Sequence, residues 1–132
     1  MTAVDPSVKM LAPIRPSSAA PEVNPLPDPA GLPSYRTLLV TVDRGVATIT
    51  LNRPRQRNAV GDGMREELAD AYLRCDRDAS ARVVVLTGAP PAFCAGADLD
   101  WMRRMSEYTN AENQADAMRL ATMLRTIYEC PK

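Results

Sequence analysis

The sequence predicts an α/β fold that opens with a ββαβ unit, and three observations carry that prediction. Two short β-branched runs flank a turn tripeptide, a helical apolar period follows them, and a second β-branched run follows the helix. Alternation of strand and helix on this scale points to a sheet covered by helices.

Order is expected to begin near Tyr35. Leu38-Leu39-Val40-Thr41-Val42 and Val46-Ala47-Thr48-Ile49-Thr50-Leu51 flank Asp43-Arg44-Gly45, which is a β-hairpin pattern. Asn52-Arg53-Pro54 stops the second strand. From Gly61 onward Met64, Leu68, Ala71, Tyr72 and Cys75 recur at helical spacing, so one face of this helix should pack on the sheet. Arg82 precedes Val83-Val84-Val85-Leu86-Thr87, too short for a helix and too apolar for an exposed edge, which reads as a buried strand. After the Gly88-Ala89-Pro90-Pro91 turn a short helix is expected from about Leu99 to Met105. Thr109 starts another, with Glu112 three residues on completing a capping box. Ala117, Leu120, Ala121, Leu124 and Tyr128 draw an apolar stripe down this last helix, which Pro131 ends. The last helix is expected to expose this stripe, which favours partners or aggregation.

Ahead of Tyr35 the chain has a different character. Eight of the twelve prolines fall between Pro6 and Pro33, around Ser17-Ser18-Ala19-Ala20 and without an apolar period. Residues 1–34 therefore read as a disordered tail, or as the product of a start codon placed too early. Lys9 and Arg15 suggest a transit peptide, but Asp5, Glu22, Asp28 and the proline density argue against one. Residues 35–132 are expected to form part of one domain, with no internal repeat.

Composition excludes several classes of function. Sixteen Lys plus Arg balance sixteen Asp plus Glu, and the arginines are scattered, so no nucleic-acid footprint exists. The absence of histidine removes Ser-His-Asp and Cys-His catalysis and every His-containing metal site, and no metal is expected. Proton transfer would fall to carboxylates, Tyr, Lys or water. Cys75, Cys94 and Cys130 are odd in number and lack Cys-x-x-Cys spacing, which fits reduced thiols in a cytoplasmic setting. No apolar run reaches the roughly 18 residues of a membrane span, so no membrane partner is expected.

The chemistry concentrates in two motifs. Phe93-Cys94-Ala95-Gly96-Ala97-Asp98-Leu99 has little side-chain bulk and stands just ahead of Trp101-Met102-Arg103-Arg104-Met105. A chain leaving a strand, turning through Ala-Gly-Ala and entering a helix presents bare N–H groups to which an oxyanion can bind. A plain strand-to-helix turn would have the same composition. Asn52-Arg53-Pro54-Arg55-Gln56-Arg57-Asn58-Ala59 lies upstream, between the second strand and the first helix.

Together these motifs resemble the crotonase (enoyl-CoA hydratase/isomerase) superfamily, in which Asn-Arg-Pro-x-x-x-Asn-Ala precedes Ala-Phe-x-Ala-Gly-x-Asp-Leu. The resemblance spans about Leu38 to Lys132 and implies a crotonase-like spiral of ββα turns, cut short after the first of them. Ala-Gly-Ala-Asp-Leu-Asp-Trp-Met-Arg-Arg-Met, then Glu112-Asn113, Asp116-Ala117 and a Pro-Lys ending, look most like the branch hydrating 3-methylglutaconyl-CoA and its isoprenoid-extended analogues.

The resemblance implies roles for particular residues. The backbone N–H of Ala97 would form half of an oxyanion hole for an acyl-CoA thioester. Ala95 and Gly96 would line the CoA, and bulk there should block binding. Arg57, Asn58 and Ala59 match the segment bordering the CoA nucleotide; Arg57 would either meet a phosphate or remain a solvated loop charge. Asp98 stands in the CoA-binding motif, yet at a helix start it should cap N–H groups rather than act as a base. Trp101, Met102 and Met105 would either wall an acyl pocket or form ordinary core. Cys94 should be a small packing residue, and Glu107, Glu112 and Glu129 match no catalytic position.

The implied reaction is hydration of a branched or carboxylated enoyl-CoA, with enoyl-CoA isomerisation or another reaction of the family as alternatives. CoA would be part of the substrate, with no separate cofactor. In the family a later Gly-Gly loop supplies the second oxyanion N–H and later glutamates handle the water and the α-proton. The 132 residues are therefore expected to be the N-terminal part of such an enzyme and inactive alone, or else an interaction module. Intact members of the family would assemble as trimers or hexamers.

Overall fold

A computed structural model describes residues 33–132. The expected tail at residues 1–34 falls almost wholly outside the described residues. Strands β1 (Leu38–Asp43) and β2 (Val46–Leu51) form the antiparallel hairpin, and β3 (Val83–Gly88) joins β2 in parallel, giving a sheet of order β1-β2-β3. The hairpin turn places Arg44 at φ 46° and Gly45 at φ 86°, the doubly left-handed form that matches strand twist. Helix α1 (Asp62–Arg77) makes the crossover, α2 (Leu99–Met105) follows the Ala-Gly-Ala loop, and α3 (Asn110–Glu129) packs on α1.

The core lies between α1 and one face of the sheet. Leu38, Ala47, Ile49 and Leu51 meet Met64, Leu68, Ala71, Tyr72 and Cys75, the helix positions set by the apolar period. Polar bonds fasten the rim of this layer. Glu67 accepts from the backbone N–H groups of Arg36 and Thr37 and from the Thr37 hydroxyl, and the Tyr35 hydroxyl donates to Asp70 at 2.8 Å. At the other end of α1, Lys132 Nζ donates to the carbonyls of Cys75 and Asp78.

One expectation is corrected. Among the described residues strand β3 pairs only with β2, and its sheet face away from α1 is uncovered, so Val83 and Val85 are each 42% exposed while Val84 and Leu86 face the core. It is a half-exposed edge strand, not a buried one. On α3 the packed face carries Asp116, Leu120, Met123 and Ile127, whereas Ala117, Ala121, Leu124 and Tyr128 are exposed. The stripe is thus exposed apart from Leu120, as expected, and the packed face is a different one anchored by a buried carboxylate. The expected capping box is present, with Thr109 Oγ1 accepting from Glu112 N–H and Glu112 accepting from Thr109 N–H. No helix among the described residues is long and apolar enough to cross a membrane.

Candidate functional site

The two motifs, distant in sequence, are stitched together by backbone and side-chain bonds. After the 3-10 turn at Pro54–Gln56, Arg57 and Asn58 both take left-handed backbone angles, φ 49° and 57°. That reversal turns the Arg57 carbonyl toward the second motif, where it accepts from Ala95 N–H at 2.9 Å. Val60 N–H donates to the Gly96 carbonyl at 2.8 Å, and Asp98 N–H donates to the Val60 carbonyl at 2.9 Å. Val60 and Ala97 thus form a one-residue parallel bridge.

A parallel bridge of this kind uses the groups on either side of residue 97 and leaves its own N–H turned the other way. Ala95 N–H is spent on Arg57, Gly96 N–H points to Cys94 Sγ at 3.4 Å, and Asp98 N–H is spent on Val60. From Ala95 to Asp98, Ala97 alone has an N–H with no acceptor among the described residues. Ala95, Gly96 and Ala97 are all exposed. Gly96 stands at φ 102°, and a Cβ built on it would meet nothing within 4 Å. Glycine is required there by backbone conformation, and the space beside it is open.

Asn58 holds the loop from beneath. Its side chain is fully buried; Oδ1 accepts from Arg53 N–H at 2.9 Å, and Nδ2 donates to the carbonyls of Ala89 and Ala92 at 2.8 and 2.7 Å. Gly88 allows the loop to close, since a Cβ there would run into the backbone carbonyls of Phe93 and Ala92. Asn58 therefore departs from its expected place along the CoA: no surface of it is free to meet a ligand. Ala59 is also buried, while Arg57 is exposed.

Asp98 caps α2, its Oδ1 accepting from the N–H groups of Asp100 and Trp101 at 2.9 and 3.2 Å. Its Oδ2 pairs with Arg53 Nη1 at 2.8 Å, and the same nitrogen donates to the Ala59 carbonyl at 2.8 Å. Burial pushes the Asp98 carboxyl up, but the Arg53 guanidinium and the two cap N–H groups outweigh it and hold the group below its ordinary value of 3.8. A depressed carboxylate adds stability that is fully present above its unfolded value and is lost as pH falls through the folded one. Urea unfolding between pH 5 and about pH 2 is expected to show this acid loss, and Asp98→Asn should flatten it. Equal acid slopes in both proteins would show that Asp98 does not carry the effect.

The remaining expected residues divide. Trp101 is 3% exposed; its Nε1 donates to Asp116 Oδ2 at 3.1 Å and its ring lies 5.2 Å from the Arg65 guanidinium carbon. Of the two expected roles, Trp101 takes the interior one. Met102 is 52% exposed and Met105 half-buried. Cys94 packs at the edge of the core. Glu112 is spent on its cap, and Glu129 pairs with Arg125. A cleft of about 350 Å³ opens between Arg53, Asp98 and the start of α1, but Ala95, Gly96 and Ala97 do not line it.

Arg53, Arg65 and Asp116 were not singled out by motif reading. The signal for the last two is a charge inside an apolar ridge, Arg65 beside Leu68, Tyr72 and Cys75, and Asp116 beside Leu120, Met123 and Ile127.

A family comparison spans both segments. Residues 41–132 fit the family model described as enoyl-CoA hydratase/isomerase. A probable enoyl-CoA hydratase from Mycobacterium tuberculosis is 51% identical over 65 residues, covering 49% of this chain and 25% of that protein. A 1,2-epoxyphenylacetyl-CoA isomerase from Escherichia coli is 44% identical over 63 residues, covering 48% of this chain and 24% of that protein. The crystal structure of an enoyl-CoA hydratase from Shewanella pealeana superposes with a TM-score of 0.71 at 31% identity, covering 73% of this chain and 36% of that one. This chain thus spans only about a quarter of the length of these curated relatives. With the family model matched across both motifs and the fold shared, the chain belongs to the enoyl-CoA hydratase/isomerase family.

Proposed function

We propose that Ala97 N–H binds the thioester oxygen of an acyl-CoA, in a protein that adds water to the α,β double bond of a branched or carboxylated enoyl-CoA. The observation that carries this reading is the one unpartnered N–H at Ala97, flanked by exposed Ala95 and by Gly96 with open space beside it. A donor held by the fold acts on charge that develops in the transition state, and removing one such donor costs about 10²–10³ in rate. The run from Ala95 to Met105 supports a substrate of the 3-methylglutaconyl type. CoA is part of the substrate in this reading, no separate cofactor is used, the protein works in the cytoplasm, and the intact form is a homo-oligomer. A second reading, isomerisation of a CoA thioester, is favoured by the similarity to the Escherichia coli isomerase.

The family's second oxyanion donor and its glutamates have no counterpart that motif reading identifies in these 132 residues. The chain alone should therefore bind CoA thioesters without turning them over. Calorimetric titration with an acyl-CoA tests this, and Ala95→Leu should weaken binding at least tenfold, about 1.4 kcal/mol. An Ala95→Leu protein that binds as well as the parent would remove Ala95 from the site. No binding by the parent, together with capture of a defined protein partner, would favour an interaction module.

A further inference from the structure

We infer that Arg53 is a positioning residue for the Ala97 donor, acting through Asp98 and Ala59. The inference rests on the oxyanion reading above and extends it to a side chain that does not touch the substrate. The residues on both sides of the Val60–Ala97 bridge are tied to one nitrogen. Arg53 Nη1 donates to the Ala59 carbonyl, next to Val60, and to Asp98 Oδ2, next to Ala97, each at 2.8 Å. The two strands of the bridge are thereby held in register at the point where Ala97 N–H is turned outward.

Arg53 is itself fixed. Its backbone N–H donates to the buried Asn58 side chain, and its carbonyl accepts from Gln56 and Asn58 N–H. Asp98 is fixed at its other oxygen by the first turn of α2. Gly61 leaves room for this closure, because a Cβ there would sit 3.3 Å from Asp98 Cβ. Without the guanidinium, Asp98 can still cap α2, and Val60 can still bond to its neighbours. What is lost is the cross-tie that sets the angle of residue 97 relative to residues 59 and 60. Donor direction matters for a hydrogen bond, which weakens steeply as the N–H turns off line.

The test uses the 132-residue chain with butyryl-CoA carrying ¹³C at the thioester carbonyl, a saturated probe that cannot be hydrated. In the unmodified chain the bound carbonyl stretch should move to lower frequency, and the Ala97 amide proton should move downfield. Arg53→Met should keep binding within about threefold while losing most of both shifts, since binding energy and donor alignment are separable. Arg53→Lys, whose ammonium keeps the charge and has protons for both acceptors, should recover part of them. If Arg53→Met does not fold, Asp98→Asn decides: it keeps the cap acceptor, removes the ion pair, and should lose the same shifts. Full shifts in the folded variants overturn the positioning role while leaving the oxyanion reading intact. Binding of the probe to the unmodified chain with no carbonyl shift, or no binding at all, overturns the oxyanion reading and this inference with it.

Discussion

Replacing Asp116 with alanine is expected to lower folding stability by about 3–5 kcal/mol, the range found when one member of a buried ion pair is removed. Arg65 and Asp116 expose only 2% and 5% of their side chains, and their Nη1–Oδ1 distance is 2.9 Å. The carboxylate does two jobs, taking Arg65 on one oxygen and the Trp101 indole N–H on the other. Asp62, at the start of α1, takes Arg65 Nη2 at 3.0 Å and Arg104 of α2 at 2.8 Å. One chain of charges therefore fastens α1, α2 and α3 together. Removing its middle leaves a guanidinium deep in the protein with one part-exposed carboxylate and the main-chain carbonyl of residue 116 at 3.3 Å, and an indole N–H with no partner.

Urea denaturation reads the loss directly as a lower midpoint at unchanged slope. Asp116→Asn should fall between the parent and the alanine variant, because it keeps one acceptor oxygen but loses the charge and turns an NH2 toward the other donor. The double change Arg65→Met with Asp116→Leu should cost less than Asp116→Ala alone, since no buried charge is then left unpaired. An alanine variant within about 1 kcal/mol of the parent would show that this carboxylate does not hold the helices.

The ion pair also explains where sequence reading reached and where it stopped. Strand and helix positions follow from patterns of period 2 and 3.6, which is why β2, α2 and the Thr109 cap lie where expected. The face of α3 was not legible in the same way. A hydropathy pattern counts Asp116 as surface, and only its contact with Arg65, 51 residues earlier, makes it interior. Exposure of one face of β3 is another tertiary property, since a β-branched run has the same composition whether helices cover one face of the sheet or both.

Motif reading located the Ala-Gly-Ala loop and the Asn-Ala segment and gave Asp98 its capping role, but it did not show that Asn58 is buried. Motifs mark positions that a site needs without saying whether a side chain faces the ligand or supports the backbone that does. Asn58 and Asp98 are supports: both spend their polar atoms inside the protein. Arg53 passed as part of a strand stop because its two acceptors come from separate parts of the chain. The sequence pattern leaves Trp101 open between pocket wall and core, and the need of its indole N–H for a buried acceptor, met by Asp116, decides for core.

Asn58→Ala is expected to cost about 4 kcal/mol and to release the Ala-Gly-Ala loop. Three groups lose their partner at once: Arg53 N–H and the carbonyls of Ala89 and Ala92. Each buried group left unsatisfied costs about 1–3 kcal/mol, with the lower end applying where water enters the vacated space. Alanine also tolerates the left-handed angle at residue 58 less well than asparagine, adding about 1 kcal/mol. Asn58→Asp separates the two causes. Aspartate accepts the same backbone angle and can still accept from Arg53 N–H, but it turns an oxygen toward two carbonyl oxygens where Nδ2 had donated. If the side-chain donors hold the loop, aspartate should destabilise at least as much as alanine, and amide exchange at Ala95 should speed up in both, because its bond to Arg57 fails when the loop lifts. An aspartate variant as stable as the parent would instead assign the effect to backbone conformation, and Asn58 would then be a turn residue and no clamp.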